Sequence, residues 1–218
     1  MSDAIVQRIP HCPREQWTDA AREVFAFWGE PNAWEEGSKT NIMMVMGNHP
    51  ALGKVYNQFG KHFLMNNTLS TRQLEIVILR VSWRVKSAYE WHNHVGYAMN
   101  AGLTLDDIAA IREFPRGGAW SADETALIPA VDDLIDSNRI ADETWATLGQ
   151  TLDRRQLMDP TFTIGSYVMT SWALSSFGVP IEGGADAIGF DLRTRSGRIP
   201  GKTHKPGETE DWVDTRGY

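Results

Sequence analysis

The chain has 218 residues and a formal net charge of −7. That length suits one large domain with a substantial buried core, and nine Trp with eight Phe predict large aromatic surfaces inside it. The acidic balance argues against a nucleic-acid partner, which would need a basic stripe, and no apolar run of roughly 18 residues offers a membrane span.

The N-terminal MSDAIVQRIPHCPREQW has no apolar signal core, so a cytoplasmic location is expected. Residues 1–15 read as an arm with Pro10 and Pro13. The spacing of Trp17, Ala20, Ala21, Val24, Phe25 and Trp28 predicts a helix from Gln16 to Gly29. Pro31 to Lys39 is expected as a polar loop, and Asn41 to Gly47 as a short Met-rich segment ahead of His49-Pro50. Ala51 to Met65 carries a broad helical stripe. Ser70-Thr-Arg-Gln73 is a capping box, so LEIVILRV belongs to a helix from Thr71 to about Val85 rather than to a buried strand. A second helix follows from Ser87 to Ala101, closed by Gly102. Further starts are predicted at Thr104, at the capping box Ser121-Ala-Asp-Glu124, at Asp142 (to Thr151) and at Asp159-Pro160, the last running to Gly178. No hairpin signal interrupts this series, so the fold class is all-α, with residues 1–180 as a single helical domain. Residues 181–218 are rich in Gly, Pro and charge. They form either a disordered tail or an ordered arm anchored by Phe190, Leu192, Ile199, Trp212 and Tyr218.

The candidate chemistry lies between Leu74 and His94. On a helix, Ser87, Glu90 and His94 share a face. Glu75 sits in an aliphatic run on the preceding helix, and antiparallel packing would bring it to the same place. A buried carboxylate must be neutral, paired or hydrogen-bonded. Two carboxylates beside an imidazole form a workable proton-transfer set. The plain structural alternative is a Glu90–His94 surface pair, with Glu75 neutralising a buried Arg80 or Arg84. A metal is a weaker reading: His92 and His94 point about 200° apart on a helix, although Glu90, His94 and Glu75 could supply three ligands. His49, before Pro50, has a packing role or a catalytic one, and the Met43, Met44, Met46 cluster reads as adaptable core or pocket lining.

The pattern Glu75-x11-Ser87-x2-Glu90-x3-His94 resembles the carboxymuconolactone decarboxylase, or alkylhydroperoxidase D-like, family, whose usual form is Glu-x11-Cys-x2-Cys-x3-His. The flanking NHPALGKVYNQFGKHFL, TLSTRQLEIVILRVSWR, SAYEWHNHVGYAMNAGLTLDDIAAI and DPTFTIGSYVMTSWALSSFGVP carry the same look, and the resemblance spans about residues 40–180. It implies an all-helical fold assembling as a dimer, trimer or hexamer. Ser87 and Glu90 stand where the redox branch has its thiols, and the single cysteine, Cys12, can form neither an intramolecular disulfide nor a CxxC pair. Thiol-based peroxide reduction is therefore excluded. The expected function is a cofactor-independent lyase, decarboxylase or isomerase acting on a small lactone, carbonyl compound or aromatic-derived acid. Glu75, Glu90 and His94 would carry protons, Ser87 and Tyr89 would orient the substrate, and Trp83 and His49 would line its site. A non-catalytic oligomeric binding protein and a metal-dependent variant are the alternatives.

Overall fold

The computed structural model describes residues 6–200. Among these, ten α-helices follow one another: α1 (Asp19–Ala26), α2 (Ala33–Glu36), α3 (Asn41–Met46), α4 (Pro50–Met65), α5 (Thr71–Arg84), α6 (Ala88–Asn100), α7 (Leu105–Glu113), α8 (Ala122–Ser137), α9 (Asp142–Leu148) and α10 (Arg154–Phe177). The described residues form no strand, only one isolated bridge between Ile188 and Thr194. The all-α class expected from the sequence is the one observed. No described helix is long and apolar enough to cross a membrane.

The described residues group into two compact units. The first holds α1 to α4 with residues 172–182. Its core includes Cys12, Ala21, Phe25 and Met44, and the Met-rich α3 is buried from Ile42 to Met46. Arg8 and Ile9 both donate backbone N–H groups to the Phe177 carbonyl. That strand-like approach is why residue 178 must be glycine: its φ is +67°, and a Cβ there would stand 2.1 Å from the Val6 carbonyl oxygen.

The second unit holds α5 to α9, α10 up to residue 171, and residues 183–200. Helix α5 is buried on nearly all sides and divides two apolar clusters. Leu74, Val77, Ile78 and Val81 pack with Leu127, Ile164 and Tyr167. Ile76 and Leu79 pack with Trp91, Val95, Ile108 and Ile111. Residues 183–200 join the second cluster through Ile188, Phe190 and Leu192. Trp91 Nε1 donates to the Gly189 carbonyl at 2.8 Å, and His92 Nδ1 accepts the Ile188 N–H at 2.8 Å. Of the remaining anchors named for the C-terminal arm, Trp212 and Tyr218 lie outside the described residues.

The capping boxes predicted at Ser70/Gln73 and Ser121/Glu124 form, and Thr104/Asp107, expected only as a helix start, makes a third. Three other expectations are corrected. Helix α1 starts at Asp19 and not Gln16: Arg14–Gln16 is a separate 3-10 turn, and the Thr18 side chain caps α1 by accepting the Ala21 N–H. The 31–39 loop contains the single turn α2. The Asp159-Pro160 start lies inside α10. Asp153 is the capping residue there, accepting from the Arg155 and Gln156 N–H groups at 2.8 and 2.9 Å. Asp159 instead accepts from the Thr68 N–H and hydroxyl at 2.7 and 2.6 Å.

Candidate functional site

The α5–α6 connection positions the candidate site. Helix α5 ends at Arg84, and Lys86 adopts the left-handed conformation, φ +58°. This reverses the chain so that Ser87 N–H returns to the Ser82 carbonyl at 2.9 Å. Helices α5 and α6 then pack along each other. His94 Nδ1 lies 2.8 Å from Glu75 Oε2, and His94 Nε2 lies 3.4 Å from Glu90 Oε2. All three residues are buried, at 3% exposure for Glu75, 6% for Glu90 and 5% for His94. The plain ion-pair alternative for Glu75 does not hold. Arg80 is held by both oxygens of Asp132, at 2.8 and 2.6 Å, and by the Ile111 carbonyl. Arg84 pairs with Asp132 and Asp136.

The electrostatics follow from this geometry. Burial, the largest single influence, works to lower the His94 pKa. The charge and hydrogen bond of Glu75, joined by those of Glu90, outweigh it and push His94 up to about 9. At neutral pH the ring is an imidazolium donating one N–H to each carboxylate. The ring is further enclosed by edge contacts with Tyr97 and Tyr167, at centroid distances of 5.3 and 5.1 Å.

Ser87 caps α6 by position but not by bonding, since its side chain makes no cap hydrogen bond. Its hydroxyl is buried and has no hydrogen-bond partner. Seven residues before His94, it lies on the same face to within about 20°. Tyr89 is buried on α6, and its carbonyl accepts from Asn93. Trp83 is placed elsewhere: it packs edge-on against Phe190 at 5.4 Å, with Lys86 Nζ 3.3 Å above its ring. His49 belongs to the first unit, where its Nδ1 accepts the Leu52 N–H at the start of α4. Tyr167 was not among the predicted site residues; it arrives on α10, and no spacing signal links it to His94. Among the described residues, no three His, Cys, Asp or Glu side chains are disposed to hold a metal ion. Both nitrogens of His94 already face carboxylates. Cys12, in the first unit, is buried, and burial together with the Glu15 charge raises its pKa, away from a reactive thiolate.

The fold and site thus define an all-helical protein with a buried Glu75–His94–Glu90 trio at the α5–α6 packing. Three solved structures share the fold. A peroxidase-related protein with an alkylhydroperoxidase AhpD core, from Ralstonia eutropha JMP134, is 10% identical with a TM-score of 0.68, over 85% of this chain and 94% of that one. A peroxidase-related protein from Silicibacter sp. TM1040 is 12% identical with a TM-score of 0.68, over 84% and 94%. A variant of the debrominase Bmp8 in complex with 2,3,4-tribromopyrrole is 16% identical with a TM-score of 0.66, over 83% and 95%. No curated protein matches the chain significantly by sequence. Residues 50–133, which include Glu75, Ser87, Glu90 and His94, match the model of the carboxymuconolactone decarboxylase family. The match covers this segment alone, and the segment lacks the paired cysteines.

Proposed function

We propose that the chain is a cofactor-independent acid–base enzyme, a lyase, decarboxylase or isomerase acting on a small lactone, carbonyl compound or aromatic-derived acid. The observation that carries this reading is the buried His94, held between two carboxylates with its pKa pushed up to about 9. Glu90 is the looser of the two partners, at 3.4 Å, and lies on the same helix face as Ser87. It is the group that exchanges a proton with substrate. His94 relays charge, and Glu75, at 2.8 Å, fixes the ring by accepting its far N–H. The unpartnered Ser87 hydroxyl donates to the substrate carbonyl oxygen, where negative charge develops as an enolate forms. Tyr97 and Tyr167 exclude water around the imidazolium. The ligand of the debrominase neighbour, a brominated pyrrole, supports a small planar substrate for this fold.

The test is a panel of small lactones and β-keto acids incubated with the protein in D2O and followed by proton NMR. Deuterium entering the carbon next to the carbonyl, or loss of carbon dioxide, is the expected signal. Glu90→Gln and His94→Asn should each lower it by about a hundredfold or more. Turnover that survives both substitutions, and Glu75→Gln as well, overturns the assignment.

A further inference from the structure

Two buried serine hydroxyls of the second unit have no hydrogen-bond partner among the described residues: Ser87 at the start of α6, and Ser171 on α10. Ser171 is 2% exposed. A serine inside a helix ordinarily settles its hydroxyl by donating to the carbonyl four residues back. Ser82 does so to Ile78 at 2.7 Å, Thr125 to Ser121 at 2.8 Å and Thr147 to Glu143 at 2.9 Å. Thr163, also buried on α10, accepts from Asn67 Nδ2 at 3.0 Å. Ser171 makes neither kind of bond, so its hydroxyl is turned off its own helix at a cost in desolvation.

The course of the helices puts that hydroxyl beside the trio. Ser171 follows Tyr167 by one turn on the same face of α10, and the Tyr167 ring meets His94. Helix α10 runs in the same sense as α5: Asp159 bonds to Thr68, just before α5, and Tyr167 reaches the partner of Glu75. Helix α6 runs the other way, since Ser87 returns to Ser82 and His94 to Glu75. A turn forward on α10 is therefore a turn back on α6. Ser171 stands about 6 Å along the axis beyond Tyr167, at the level of Glu90, which stands about 6 Å before His94. Both unpartnered hydroxyls thus fall on the Glu90 side of the imidazole.

We propose that Ser171 is a second substrate-binding residue, and that with Ser87 it fits the site to a neutral β-dicarbonyl compound such as an acyl lactone. One carbonyl oxygen accepts from Ser87 and the other from Ser171. Given the acid–base role of Glu90, on which this rests, the C–H bond between the two carbonyl groups breaks and its proton passes to the Glu90 carboxylate. The electron pair spreads over both oxygens as the enolate, and each place where charge develops meets a hydroxyl donor. A substrate carboxylate suits the place poorly. It would lie beside Glu90, while Arg80 and Arg84 are held by Asp132 and Asp136 and the Lys86 ammonium lies over Trp83.

The experiment is an NMR titration of the full chain with α-acetyl-γ-butyrolactone, γ-butyrolactone and acetoacetate. It is read for binding and, in D2O, for deuterium entry above the rate in buffer. The wild type should bind the acyl lactone about tenfold more tightly than either of the others. Ser171→Ala should abolish the preference for the acyl lactone over γ-butyrolactone, with a melting temperature at or above that of wild type. A lowered melting temperature with both lactones weakened alike would make Ser171 structural and overturn the inference. So would a wild type that binds acetoacetate or γ-butyrolactone as tightly as the acyl lactone. Selective binding that is lost in Ser171→Ala, but brings no deuterium entry, upholds the binding role of Ser171 and removes the acid–base reading alone.

Discussion

Ser87 shows how stability and chemistry pull apart at single positions. A buried hydroxyl without a partner costs the folded state its desolvation. Ser87→Ala should therefore leave stability unchanged or raise it by about 1 kcal/mol, while lowering turnover of an identified substrate roughly tenfold to a hundredfold through the lost hydrogen bond. A thermal melt and a rate measured on the same preparation check both halves. A fall in stability together with rate would mean that Ser87 is structural. Glu75, Ser87, Glu90 and His94 were legible because helix spacing alone stacks three of them and an aliphatic run makes the fourth conspicuous. Tyr167 was not, since its approach to His94 depends on how α10 packs, which no local pattern encodes. Trp83 illustrates the opposite limit. It is one turn before the α6 start, but the left-handed Lys86 turns the chain, and the ring joins Phe190 instead.

Element ends with reciprocal side-chain bonds were readable, because a capping box is a closed local interaction. Ser70→Ala is expected to cost about 1 kcal/mol in denaturant unfolding. The Asp159-Pro160 pair misled for a physical reason. The same two residue types that open a helix also suit a point where a helix gives up one N–H and an aspartate reaches sideways. With two short bonds to Thr68, Asp159 is a tether and not a cap. Asp159→Ala should cost more than a lost cap, roughly 2–3 kcal/mol, whereas Asp153→Ala should cost about 1 kcal/mol. Equal losses measured for the two would remove the distinction. The segment 183–200 was harder still. Its composition resembles a tail, yet its few apolar residues are the ones inserted beside Trp91. Ile188→Ala is expected to destabilise the chain by about 2–4 kcal/mol in the same assay.

For the molecule as a whole, His94 couples folding to pH. Its pKa in the folded state, about 9, lies above the ordinary 6.5. The stabilisation it contributes is therefore complete below about pH 6.5 and is lost as pH rises through 9. Comparing the denaturation free energies of wild type and His94→Asn, the advantage of wild type should shrink by on the order of 3 kcal/mol between pH 6 and pH 10. A flat difference across that range would show that the imidazole is not charged in the folded protein.

The solitary Cys12 has a practical consequence. It is packed beside Ala21, Phe25 and Met44, and its thiol is held away from ionisation. The native chain should therefore react only slowly with maleimides or nitroxide reagents. Any cysteine introduced on the surface becomes a near-exclusive attachment point for a fluorophore or spin label, with no need to rebuild the core around a removed native thiol.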